Sequence, residues 1–258
     1  MLVLAPELLA AHLSHTFFIM VRVGVLLFVA PIFSEKVISK RLRAGLALLI
    51  ALLIAPSLPD SQMSLMSWST VWLLVKQAMI GAALGLTLQL LFAAVRLCGE
   101  IVGMQMGLSF ATFFDPNSGN SPVISRFLNL LAMLLFLSVN GHLWLLALLA
   151  ESFVTLPVNA DPLHAGGLLY VVSLAGVIFS QGLMMGLPII TLLLCINMTL
   201  GLLNRLTPQL SIFVVGFPLT LGVGMLALFL IADTLPPFFM RLMARMFAEM
   251  EKLLAALW

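Results

Sequence analysis

Long apolar stretches dominate the chain and leave few folds open to it. Leu13 to Phe33, Ala44 to Leu58, Val71 to Val95, Phe127 to Leu156, Leu168 to Leu203 and Leu210 to Leu235 follow one another with short polar interruptions. A helix needs about 20 apolar residues to cross the hydrocarbon core of a bilayer. Phe127 to Leu156 and Leu168 to Leu203 are too long for one straight crossing. Of 258 residues, 62% are hydrophobic and 9% are charged, where a soluble domain has about 25% charged. So few charges cannot cover a soluble surface. This excludes a soluble globular enzyme, a nucleic-acid binder and a disordered chain. The net charge of +2 is also too small to draw in nucleic acid. The predicted fold is all-α: a polytopic hydrophobic protein of five or six long helices, several broken or paired into hairpins, forming one domain over residues 1–258.

Punctuation within the stretches sets the breaks. Pro31 closes the first, and Pro56 and Pro59 close the second. Asn140-Gly141-His142 interrupts the run from Phe127, and Gln181-Gly182, Gly186 and Pro188 punctuate the run from Leu168. Between residues 96 and 126 the pattern changes, with Arg96, Glu100, Gln105, Asp115, Asn117, Asn120 and Arg126 among apolar positions. No basic residue precedes the first stretch, so it does not read as a cleavable signal peptide. The loop Ser34–Arg43 carries four basic residues and one acid. The bias of Lys and Arg toward the cytoplasm places it there and the N-terminus outside. From Pro237 to Trp258, Arg241, Arg245, Glu249 and Lys252 recur every three or four residues, while Phe238, Leu242, Met246, Leu253, Leu254 and Leu257 fill the other face. That is an amphipathic helix, expected on a membrane surface or docked on a partner.

Several residue groups could carry function. Gly99, Gly103 and Gly107 are each four apart, a strip that lets another backbone approach closely, from this chain or from a neighbouring subunit. Gly81–Gly85 and Gly182–Gly186 repeat the spacing. Arg22, Lys76, Arg96, Glu100 and Glu151 lie inside apolar stretches and must pair, face water or enter a subunit interface. Glu100 or Glu151 could serve a proton-coupled transporter. His12 and His15 have metal-ligand spacing, with no carboxylate or third His within reach in the same helix apart from Glu7. Cys98 and Cys195 read as free thiols in apolar surroundings. No nucleophile–base set, phosphate-binding loop or metalloprotease motif is present in the sequence, so no catalytic residue, metal or cofactor is predicted.

The stretch from Gly107 to Pro122 is the most informative. Phe110, Phe113 and Phe114 precede the turn residues Asp115, Pro116, Asn117, Ser118 and Gly119. Such a break cannot lie in lipid, which satisfies no backbone groups. It is either an interfacial hairpin loop or a plug that closes a pore by packing and dewetting. Met104 and Met106 lie just before it, and their flexible thioethers could form a deformable gasket.

Gly99-Glu-Ile-Val-Gly-Met-Gln-Met-Gly107, Phe114-Asp-Pro-Asn-Ser-Gly119 and Asn140-Gly-His142 together resemble the FliR family of flagellar biosynthetic membrane proteins. Gly201-Leu-Leu-Asn-Arg205, Pro208 to Phe213, Gly216-Phe-Pro218, Arg22-Val-Gly24 and Pro31-Ile-Phe33 agree with it, so the resemblance runs over nearly the whole chain. It implies a core subunit of the flagellar type III export gate in the bacterial inner membrane and basal body. The subunit would stand with FliP and FliQ in a helical hetero-oligomer, with FlhB and FlhA as further partners and membrane lipid around it. Unfolded rod, hook and filament subunits would pass through it. The resemblance also implies a plug formed by Phe110, Phe113, Phe114, Asp115, Pro116 and Gly119, and subunit packing through Arg96, Gly99, Glu100, Gly103 and Gly107. The family has a virulence injectisome branch, to which the Asp-Pro-x-Ser-Gly and Gly-Phe-Pro stretches are less similar.

Overall fold

A computed structural model describes residues 6–35, 37–58, 68–108, 122–159, 161–207 and 212–258. Nine α-helices lie among them: α1 Pro6–Val29, α2 Lys40–Ile54, α3 Trp68–Gln105, α4 Val123–Ser138, α5 Gly141–Thr155, α6 Ala165–Leu174, α7 Gly176–Leu206, α8 Ile212–Ile231 and α9 Leu235–Leu257. No strand occurs among the described residues, and the all-α expectation holds. Thr70–Gln105, Gly166–Leu206 and Val215–Leu257 are long and apolar enough to cross a membrane. Val123–Ser138 and Gly141–Thr155 qualify together as a fourth, broken span. The chain is a membrane protein by these lengths and compositions.

Local chemistry explains where the helices start and stop. The Ser39 hydroxyl accepts the Leu42 N–H at 3.3 Å and caps α2, filling one of the donors a helix start leaves free. Pro56 then converts the end of α2 into the 3-10 turn Ala55–Ser57. The expected break at Asn140 is present. Asn140 has φ 57° and ψ 29°, a left-handed conformation that Asn tolerates better than most residues. Its carbonyl accepts the N–H groups of Leu143 and Trp144 and so begins α5. The third stretch runs further than its apolar pattern. Instead of ending near Val95, α3 continues to Gln105, because Arg96 and Glu100 are four apart and keep the helical period. Pro188 and Pro218 lie inside α7 and α8 without ending them. The break in the run from Leu168 falls at Ala175 instead, between α6 and α7.

The chain gathers into two compact units. One is formed by Met1–Gln89, Asn140–Leu174 and Arg245–Trp258. Phe18, Ile19, Leu26 and Leu27 of α1, Leu73, Ile80 and Leu84 of α3, and Leu145 and Leu149 of α5 make its core. Gly81 and Gly85 let α3 approach α1 closely. A Cβ on Gly81 would collide with the Arg22 carbonyl, and one on Gly85 would lie 2.8 Å from Val29 Cβ. Arg43 ties down the basic loop, donating to the carbonyls of Ser34, Glu35 and Ile38 at 2.8–3.1 Å. In this unit the C-terminal part of α9 turns Met246, Met250, Leu253, Leu254 and Leu257 inward, with Phe247 6.2 Å from Trp144. Tyr170 of α6 donates to Glu249, which also pairs with Lys252 at 3.1 Å. The amphipathic helix is therefore real, but the chain itself covers its apolar face.

The second unit is formed by Leu90–Val139 and Ala175–Ala244. Phe92 is its aromatic centre, 5.8 Å from Phe136 and 6.2 Å from Phe239. Gly182 and Gly186 seat α7 on α3: their Cβ positions lie 2.8 Å from the Ala94 carbonyl oxygen and 2.9 Å from Cys98 Sγ. Much of α7 and α8 is nevertheless apolar and exposed, including Phe179, Met184, Leu187, Met198, Leu226 and Phe229. Such a surface requires lipid or another protein chain against it.

Candidate functional site

The end of α3 gives the candidate segment its first foot. Gly107 has φ 81°, a conformation that a side chain disfavours. Its N–H donates to the Met104 carbonyl, and the Leu108 N–H donates to the Gly103 carbonyl, both at 3.0 Å. These are the paired bonds of a Schellman cap, with Gly107 as the left-handed residue just past the helix. Gly107 thus leaves the strip begun by Gly99 and Gly103 and acts as a helix terminator. Side chains of other helices reach the carbonyls at this end. Asn197 Nδ2 of α7 donates to the Gln105 carbonyl at 3.1 Å, and Thr220 Oγ1 of α8 lies 3.4 Å from the Met106 carbonyl and 3.1 Å from the Phe217 carbonyl of its own helix, which share its one proton. Met106 is fully buried. Its Cγ, Sδ and Cε lie 2.6–2.8 Å from where a Cβ on Gly224 would sit.

The second foot lies on the same part of α3. Pro122 is buried, and its Cβ is 2.9 Å from the Cβ position of Gly103. Gly99 faces the Ser125 backbone, and the Ser125 hydroxyl donates to the Arg96 carbonyl at 3.0 Å. The glycine strip is therefore occupied, at Gly99 and Gly103, by this chain's own α4 and the Pro122 that leads into it. The chain leaves α3 after Leu108 and is back against Gly103 at Pro122. Phe110, Phe113, Phe114, Asp115, Pro116 and Gly119 lie between these feet, outside the described residues.

The two methionines part ways: Met106 is core, whereas Met104 is half exposed. Arg96 and Glu100 are half buried, and neither has an ion-pair partner among the described residues. Glu151 is exposed on α5. Among the described residues no three His, Cys, Asp or Glu side chains group to hold a metal. The His12 side chain lies outside them. Cys98 is buried and Cys195 exposed, both free.

Arg22 solves its burial without a carboxylate. Its Nε donates to Gln77 Oε1, one Nη to the Ser152 carbonyl and the other to the Leu156 carbonyl, each at 2.7 Å. The guanidinium also lies 4.0 Å from the centroid of Phe153. Ser152 and Leu156 sit at the end of α5, where the helix dipole is negative; the Ser152 carbonyl already accepts the Leu156 N–H at 3.0 Å and takes Arg22 as a second donor. Lys76, the next buried cation, donates to Asn159 Oδ1 at 2.6 Å. Sequence reasoning pointed to Arg22 and Lys76 as needing partners but missed neutral ones. It also missed Asn197, Thr220 and Gly224. A lone Asn inside an apolar run was the only available signal.

Known proteins agree with one another about this chain. Residues 13–246 match bacterial export proteins, family 1. The flagellar biosynthetic protein FliR of Pectobacterium carotovorum subsp. carotovorum is 51% identical over 245 residues, covering 95% of this chain and 94% of that protein. The protein of the same name from Escherichia coli (strain K12) is 48% identical, over 99% of this chain and 97% of its own. That of Bacillus subtilis (strain 168) is 29% identical over 81% of this chain and 83% of its own.

Proposed function

The chain belongs to bacterial export proteins, family 1, together with the flagellar biosynthetic proteins FliR, and from this we propose that it is a membrane subunit of the flagellar protein export apparatus. In this reading it joins FliP and FliQ in the core gate of the inner membrane at the flagellar basal body, with FlhB and FlhA beside them. It lines a conduit for unfolded flagellar subunits and performs no catalysis. The segment bearing Phe110, Phe113 and Phe114 plugs the resting channel against ions and moves aside when a substrate enters. Arg96 and Glu100, without ion-pair partners among the described residues, meet charges on neighbouring subunits.

The observation that carries the plug is the position of its feet. Leu108 bonds to Gly103 and Pro122 packs on Gly103, so the thirteen residues 109–121 start and finish at one place on α3. A segment mounted that way can change conformation without pulling on the helices.

Deleting Phe110 to Asn120 is expected to make cells leak ions when the assembled complex is expressed. Unchanged leak and growth would remove the plug. Co-expression with FliP and FliQ, followed by native mass spectrometry, is expected to yield a complex of all three. A chain that purifies alone, folded and able to move a small solute through Glu100 or Glu151, would favour the transporter instead. An injectisome role is disfavoured by the flagellar names of the relatives.

A further inference from the structure

We propose that α2 enters one leaflet of the bilayer end-on, and that Lys40 and Arg41 bind the phosphodiester headgroups of anionic phospholipid there. This requires only a chain in a membrane, whether or not that chain serves export. With 15 residues, α2 is about 22 Å long at 1.5 Å per residue. The hydrocarbon core is about 30 Å thick, so α2 is too short to cross it. One side of the helix is taken by the chain itself. Ala47, Ile50 and Ala51 are buried, and Ala47 Cβ lies 3.8 Å from the Cβ position of Gly24 on α1. The other side is sorted along its length. Lys40 and Arg41 are exposed at its start, with Leu42 beside them. Leu48, Leu49, Leu52 and Leu53 are exposed at its far end. Between the two zones the exposed residues are the small Ala44 and Gly45.

The three cations of the helix have different fates. Arg43 is engaged within the chain, donating to the Ser34, Glu35 and Ile38 carbonyls and lying 5.4 Å from the Phe28 centroid. Lys40 and Arg41 have no hydrogen-bond or ion-pair partner for their side chains among the described residues, and α2 holds no acid. Two uncompensated positive charges therefore stand at one end of a leucine face. A leaflet offers the complementary order, with phosphate at its surface and acyl chains beneath. Along the helix axis Leu48 is about 10 Å and Leu53 about 18 Å from Arg41, a depth that matches one leaflet, about half of the core. The long stems of Lys and Arg keep their charges at headgroup level while the helix below them sits in hydrocarbon. A protein groove would have to place acids at one end and an apolar wall at the other. An anionic leaflet supplies both wherever the helix meets it, and each basic side chain near its surface favours binding about fivefold.

The test titrates the full-length chain in detergent with phosphatidylglycerol or phosphatidylcholine and reads bound lipid by native mass spectrometry. Wild type is expected to prefer phosphatidylglycerol, and the preference is expected to shrink as salt screens it. Lys40→Gln and Arg41→Gln should each weaken phosphatidylglycerol binding about fivefold, and the double variant about 25-fold. Arg205→Gln, which removes an exposed cation outside α2, should match wild type. No loss in the double variant, or an equal loss in Arg205→Gln, overturns the proposal. Displacement of the lipid by inorganic phosphate at equal concentration also overturns it, since that marks an isolated anion site. Depth is measured separately, with spin labels on Leu42→Cys and Leu53→Cys in a Cys195→Ser chain, reconstituted into vesicles of the two lipids; Cys98 is buried. A lipid-soluble relaxant should reach the label at residue 53 and a water-soluble one the label at residue 42. Equal depth at the two positions overturns end-on entry. Loss of lipid access at residue 53 in the assembled export complex would show a partner subunit on this face, and overturns the leaflet as its occupant.

Discussion

The Cα of Ser125 lies 2.5 Å from the point a Cβ on Gly99 would occupy. At this point α3 and α4 meet backbone to backbone, with no flexible side chain between them to give way. Gly99→Ala must therefore push the helices apart, at a cost of about 1–3 kcal/mol for such overpacking. Gly103→Ala meets only side-chain carbons, of Pro122 and Ile124, and is expected to cost less. Gly201→Ala, with nothing within 4 Å, should leave the packing of the chain unchanged. Thermal melting of the detergent-solubilised protein should rank them in that order, and equal melting for Gly99→Ala and Gly201→Ala would contradict the α3–α4 contact.

Arg22 closes the end of α5 with bonds that no apolar residue can replace. Arg22→Met would leave the Ser152 and Leu156 carbonyls and Gln77 without those donors. Each buried group left without its partner costs about 1–3 kcal/mol. Arg22→Lys should recover less than half of this, because an ammonium lacks the planar fork that reaches two carbonyls and Gln77 together. A melting temperature for Arg22→Lys equal to wild type would show that charge alone suffices.

Asn140 makes the turn between α4 and α5 in a left-handed conformation. Asn140→Gly should melt at or above the wild-type temperature. Asn140→Val should lose about 1–2 kcal/mol, the cost of the left-handed region for an ordinary side chain. If the valine variant melted like wild type, the turn would not need this backbone conformation.

The two cysteines differ in exposure, Cys98 buried and Cys195 exposed. A maleimide should modify Cys195 in detergent and spare Cys98 until the protein is denatured. Mass spectrometry of the peptides reads both sites, and early labelling of Cys98 would contradict the packing of Gly186 on it.

Helix identity was legible in the sequence because apolar stretches and their punctuation are local signals. The break at Asn140 and the amphipathic tail could be read from a few adjacent residues. The continuation of α3 past Val95 was not, because Arg96 and Glu100 interrupt hydrophobicity without interrupting period. The packing of Met106 against Gly224 was hidden for another reason. Gly224 is more than a hundred residues away, and nothing in a glycine's neighbours says which side chain it makes room for. Arg22 announced that it needed partners, yet its partners are mostly backbone carbonyls, which every residue carries and no sequence pattern marks. Phe110, Phe113 and Phe114 were visible as a motif, whereas the paired contacts of Leu108 and Pro122 with Gly103 on either side of them needed the structure.

Because Leu108 and Pro122 both come back to Gly103, the distance to be bridged between them is fixed by α3 and α4 alone. Changing the number of residues in between then costs little, about 0.6 kcal/mol of closure entropy for each doubling of length. The length of that insert can therefore be changed at little cost to the helices that carry it.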